Sequence, residues 1–100
     1  MFYRTAFDLA RQLGDRAVEG QVSYSLGNLY TLLKDHAKAA EYHLLHLRIA
    51  KELNDAVELS RAYWSLGNVY TNTGNTRKAF SFIKLHLDLS AKVILNYVFL

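Results

Sequence analysis

Asn28 and Asn68 stand inside helical patterns, where propensity disfavours asparagine. A side-chain amide both donates and accepts, so such residues could hold the backbone of an extended peptide without reading its sequence. The plainer use is a helix-bending or inter-repeat hydrogen bond. Around them, Gln21, Tyr24, Asn28 and Thr31 fall at i, i+3, i+7 and i+10, and Arg61, Trp64, Asn68 and Thr71 do the same. Each set therefore lies on one stripe of a helix. Arg61 could grip a carboxylate through two parallel bonds; read alone, it is better explained as a surface charge paired with Glu58. Gln21 holds the matching place without a charge. Tyr24 and Trp64 could pack on a ligand or fill space between repeats.

Other reactive residue types offer less. His43 and His46 lie three apart, which suits a metal, yet no Glu or Asp completes a pattern such as HExxH. His46 also recurs as His86, and structural recurrence explains that better than ligation. There is no Ser–His–Asp or Cys–His constellation and no Gly-rich phosphate loop. Ser25 and Ser65 sit inside helices as repeat residues. The expectation is a chain that is not an enzyme and uses no cofactor and no metal.

The elements that must position these residues come from one stretch used twice. Tyr24-Ser25-Leu26-Gly27-Asn28-Leu29-Tyr30-Thr31 returns as Trp64-Ser65-Leu66-Gly67-Asn68-Val69-Tyr70-Thr71, an offset of 67 − 27 = 40 residues. Ala39, His46, Leu47 and Leu53 recur as Ala79, His86, Leu87 and Val93. A fixed offset of this size marks a repeat array. Apolar spacing predicts helices over residues 2–13, 16–33, 36–53, 56–73 and from about Thr76 to Lys92, with Asp15 and Thr76 as caps and Gly74-Asn75 as a stop. Gly27 and Gly67 inside helices point to close approach of a neighbour. Two- to three-residue turns force antiparallel neighbours. The fold class is all-α, with helical hairpins stacked as an α-solenoid whose twist gives a concave surface.

Composition agrees with a globular chain. Of 100 residues about half are apolar, and the net charge is a mild +3 from twelve scattered Lys and Arg against nine Asp and Glu. Cysteine is absent, so there is no disulfide framework and no thiolate metal site. The N-terminus does not resemble a signal peptide, and no apolar run approaches the roughly 20 residues of a membrane span. A cytoplasmic protein without direct membrane insertion is expected.

The order aromatic, x2, Leu-Gly, x2, Tyr, then Ala resembles the tetratricopeptide pattern, whose usual period is about 34. Tyr63, Leu66, Gly67, Tyr70 and Ala79 fit it in one repeat. Leu26, Gly27, Tyr30 and Ala39 fit in the other, where Ser23 departs from the aromatic. Leu-Gly-Asn in each first helix at the longer period is similar to the Pins/LGN family of G-protein signalling modulators. Ala10-Arg11-Gln12-Leu13, Asp15-Arg16-Ala17-Val18-Glu19, Tyr42-His43-Leu44, His46-Leu47, Glu52-Leu53-Asn54-Asp55 and Trp64-Ser65-Leu66-Gly67-Asn68 match as well. The resemblance spans about residues 3–93. It implies a scaffold whose groove, lined by first helices, holds extended acidic segments of polarity and spindle proteins such as Inscuteable or NuMA, in the cytoplasm or at the cell cortex. The groove positions it implies are Gln21, Tyr24, Asn28, Thr31, Arg61, Trp64, Asn68 and Thr71. GoLoco motifs are absent, so Gα binding is not expected.

The domain layout expected is a half repeat over 1–14, repeats over 15–54 and 55–93, and an atypical apolar tail over 94–100, which reads as a fragment. An array needs roughly three repeats and polar ends. Two and a half units with open faces therefore lead us to expect a homo-oligomer joined through those ends. Val93 to Leu100 carries no charge and could continue the fifth helix or form an aggregation-prone strand. An RNA-binding helical repeat is the alternative function, although most Lys and Arg lie on second helices or turns; a purely structural or self-assembling fragment is another.

Overall fold

The structure, a computed structural model, describes residues 2–99. Its elements are α1 (Phe2–Leu13), α2 (Arg16–Leu32), α3 (His36–Glu52), α4 (Ala56–Asn72) and α5 (Thr76–Phe99), with no strand among the described residues. Each helix packs mainly on the one before and the one after it. The Cα envelope is 43 × 34 × 17 Å, and its thin dimension is that of two packed helices. The all-α stack of antiparallel hairpins expected from the sequence is what forms.

All four connectors are built alike. A residue in the left-handed region closes each helix: Gly14 (φ 69°), Lys34 (60°), Asn54 (52°) and Gly74 (76°). The next residue sends its N–H back, Asp15 to Ala10, Asp35 to Tyr30, Asp55 to Ala50 and Asn75 to Tyr70. Its side chain reaches forward to accept from the N–H of Val18, Lys38, Glu58 or Lys78. One residue thus finishes one helix and caps the next. The cap of α5 is Asn75, not the Thr76 that sequence suggested, because Asn75 holds the place of the three aspartates.

The core runs between α3, α4 and α5. Leu47, Ala62, Tyr63 and Leu66 are buried together, with Leu59, Tyr70, Phe82 and Leu89 packed around them. Ring pairs recur at the repeat period: Tyr30 stacks on Tyr42 at 5.6 Å and Tyr70 on Phe82 at 5.7 Å. Offset aromatic stacking adds to burial. At the other side, the guanidinium of Arg16 forks onto Glu52 at 2.7 and 2.9 Å, tying the start of α2 to the end of α3. That bond also holds the Glu52 carboxyl below its ordinary range.

Of the two forms the sequence left open for its end, the last helix takes the helical one. It does not stop near Lys92 but runs on to Phe99, so no boundary separates a tail at residue 94 from the helix before it. Leu100 lies outside the described residues. A lone strand there would leave its backbone groups unpaired, whereas a helix satisfies them internally. Val93, Ile94, Leu95, Tyr97 and Val98 are all exposed on this extension. Among the described residues no helix is long and apolar enough to cross a membrane.

Candidate functional site

The two stripes picked out by sequence lie on α2 and α4, each held in place by the glycine at its centre. A methyl built on Gly27 would lie 2.5 Å from the ring of His43, and one on Gly67 would lie 2.6 Å from Ile83 Cγ1. The second helix of each hairpin therefore rides directly on the first, and the remaining faces of α2 and α4 are left to other uses. Thr31 and Thr71 donate to the carbonyls of Gly27 and Gly67 at 2.9 and 2.8 Å. Their hydroxyl hydrogens are spent inside the helix, and only their oxygens remain to accept. Asn28 and Asn68 are exposed, and neither amide bonds another described residue.

Gln21, Tyr24 and Arg61 are drawn together across the two repeats. Gln21 Nε2 donates to Glu58 Oε1 at 2.6 Å, and Arg61 Nη1 donates to the same oxygen at 3.2 Å. The Arg61 guanidinium lies 5.1 Å over the ring of Tyr24, within cation–π range. Behind Tyr24 stand the rings of His46 at 5.2 Å and His43 at 6.0 Å. Trp64 repeats this arrangement against His86, again at 5.2 Å, but is 47% exposed. The site is a ledge of aromatic rings edged by amides and one partly satisfied guanidinium. It offers hydrogen bonding to a backbone, apolar contact and a cation.

Sequence reasoning undervalued two kinds of residue. Glu58 was weighed only as a partner for Arg61, and it does fill that role. It also joins Gln21 and, at 3.3 Å, His46 Nε2, so it is the hub between repeats. Three residues after the Asp55 cap, it reads as a capping glutamate; its side chain turns to the neighbouring repeat instead. Three of the histidines pack behind the aromatic stripe, His43 and His46 against Tyr24 and His86 against Trp64. His43 and His46 are both buried. Burial, with neighbouring His46 adding to it, pushes the His43 imidazole down to about 4. Burial also lowers His46, against the opposing pull of Glu58. Among the described residues no three metal-ligating side chains gather.

The comparison with curated proteins returned no match. Among solved structures, the chain is similar to the TPR domain of Arabidopsis FLU, with a TM-score of 0.84 at 24% identity over 90% of this chain and 76% of that one. At that identity the likeness speaks for the fold alone. The sequence pattern named tetratricopeptide repeat matches residues 20–92. With the twin Leu-Gly-x2-Tyr helices, their paired hairpins and this match over most of its length, the chain belongs to the tetratricopeptide repeat family.

Proposed function

We propose that this array is a protein-interaction scaffold that binds an extended, Glu-containing segment of a partner across α2 and α4. One observation carries the reading: the same exposed stripe occurs twice at one period, with unbonded amides at Asn28 and Asn68 and with Arg61 and Trp64 beside them. Evenly spaced amides suit the regular backbone of an extended chain, and the cation suits an acidic side chain. Glu58 already occupies part of Arg61, so a partner carboxylate must use the free guanidinium edges or displace Glu58. At finer grain, the Leu-Gly-Asn stretches support a Pins/LGN-like role. The partners would then be polarity or spindle segments of the Inscuteable or NuMA kind, met in the cytoplasm or at the cell cortex. Titration of Glu-rich peptides and of single-stranded RNA, followed by calorimetry, tests the reading. Peptide binding that is lost in the Asn28→Ala, Asn68→Ala double variant supports it; binding of RNA in preference to peptide overturns it.

A second reading concerns the end of the array. Phe80, Leu87, Ile94 and Val98 form an exposed apolar stripe on α5. In the previous hairpin, Leu47, forty residues before Leu87, is covered by Ala62, Tyr63 and Leu66 of the helix that follows. The uncovered stripe favours self-association of this chain through α5.

A further inference from the structure

The two edges of the stack are charged oppositely. Successive helices are antiparallel, so the α2–α3 and α4–α5 connectors share one edge, and the α1–α2 and α3–α4 connectors share the other. Residues 32–38 and 72–78, which span the first pair, carry Lys34, Lys38, Arg77 and Lys78 against one carboxylate, Asp35. The equal spans 12–18 and 52–58 carry one cation, Arg16, against Asp15, Glu52, Asp55 and Glu58. On that acidic edge every carboxylate has a donor: a capping N–H, Arg16, or Gln21 with Arg61. The basic edge is not matched in this way. Asp35 is occupied by the Lys38 N–H, and none of the four exposed cations forms an ion pair among the described residues. Lys38 and Lys78 instead lie over the rings of Tyr30 and Tyr70, at 5.6 and 5.1 Å. The same edge exposes two leucines at the apex of its first connector, Leu32 at 80% and Leu33 at 63%. The fold does not ask for them. The twin connector makes the same left-handed turn and the same returning bonds with Asn72 and Thr73 in their places. A helix ending of this kind often packs an apolar side chain back on the helix it closes. These two are left in solvent.

We propose that this edge docks on an anionic phospholipid surface. Leu32 and Leu33 enter the headgroup boundary, and Lys34, Lys38, Arg77 and Lys78 meet the lipid anions around them. The contact is shallow, since no described helix is long and apolar enough to cross a bilayer. An acidic protein surface would satisfy the cations equally well, but it has no use for apolar side chains that project from the tip of a turn. A bilayer takes such a tip directly, because its apolar layer begins just below the charged one. The acidic edge gives the docking one orientation: it is repelled by the same lipid charge that attracts the basic edge. The helices then stand on the surface, held by one edge. The proposal goes beyond the scaffold reading and does not depend on it.

Co-sedimentation with vesicles tests it. The probes are vesicles of phosphatidylcholine alone, vesicles with about a third phosphatidylserine, and soluble polyglutamate. The chain should bind the anionic vesicles well above the neutral ones, and added salt should weaken that binding. The Leu32→Asn, Leu33→Thr pair copies the twin connector, so it should melt as the parent does and bind anionic vesicles at least about tenfold more weakly. Lys34→Gln with Arg77→Gln should cost about tenfold as well and flatten the salt dependence. Lys51→Gln, outside this edge, should change little. A second measurement does not rely on those variants. The chain has no cysteine, so Leu33→Cys can carry a polarity-sensitive dye, whose emission should shift to the blue on anionic vesicles. The same dye at Lys51→Cys should not shift. Equal binding to neutral and anionic vesicles, or a dye at position 33 that stays in water on them, overturns the proposal. Binding that needs the cations but survives the loss of both leucines, with polyglutamate bound as tightly, assigns the edge to an acidic protein and overturns it too.

Discussion

Gly27 and Gly67 keep the paired helices in contact because they lack a side chain. A methyl at Gly67 would meet Ile83 Cγ1, which is close to its own backbone and cannot swing far away. Gly67→Leu should therefore destabilise the protein by about 1–3 kcal/mol through overpacking, although glycine is itself a poor helix former. A raised melting temperature would show that the site is open. Arg61 supports a second test. Its guanidinium is split between Glu58, the Tyr24 ring and solvent, so Arg61→Ala should weaken an acidic peptide by about 1.5–3 kcal/mol if the new ion pair is shielded from water. Lys51→Ala should change little, and calorimetry showing equal losses would reduce the effect to diffuse charge. His43 gives the pH dependence. Its folded value near 4 lies below the ordinary 6.5, so the unfolded chain binds the extra proton first. Stability should be complete above about pH 6.5 and fall as the pH drops toward 4, with His46 acting in the same sense. Melting followed across that range should show a shallower acid slope in His43→Leu.

At the scale of the helices, one connector design is used four times, and its parts can be separated by substitution. Asn75→Ala removes the acceptor for the Lys78 N–H and should cost about 1 kcal/mol. Thr76→Ala, one residue on, should be close to neutral in the same chemical denaturation measurement. The reverse result would return the cap to Thr76. The helix starts were readable because Asp15, Asp35 and Asp55 are strong caps at equal intervals. Asn75 completes the series, yet it also fits a stop signal beside Gly74, and local sequence gives no means of choosing between those roles. The choice follows from geometry: Gly74 takes the left-handed position, which frees Asn75 to face forward. The end of α5 was ambiguous for a related reason. Val93 to Phe99 is rich in β-branched and aromatic residues, and propensity alone is overridden when no strand is available to pair with it.

For the whole molecule, stability is the sum of neighbour contacts along a two-layer stack, so whatever covers the last helix matters. The stripe of Phe80, Leu87, Ile94 and Val98 is open, with Phe80 67% exposed. Two copies joined along α5 would bury it on both sides, and a two-fold contact needs only a self-complementary surface. Sedimentation at micromolar concentration should find a dimer, and Leu87→Lys should return it to monomer without lowering helix content. A parent chain that sediments as a monomer at that concentration would defeat the idea.

The repeat, the antiparallel hairpins and the stripe of Asn28 and Asn68 were determined by the sequence itself, because apolar period, turn length and recurrence are local properties that survive without coordinates. The partners of the polar groups were not. Glu58 looks like a capping residue beside Asp55 and becomes the link to Gln21, Arg61 and His46 only when α2, α3 and α4 are stacked. For the same reason, positions forty residues apart are alike in sequence and unlike in state. Gln21 bonds Glu58 from the neighbouring repeat, whereas Arg61, forty residues on, bonds the same carboxylate from within its own helix. Which partner a repeated position finds depends on what the neighbouring helix brings to it, and that is a property of the assembled stack.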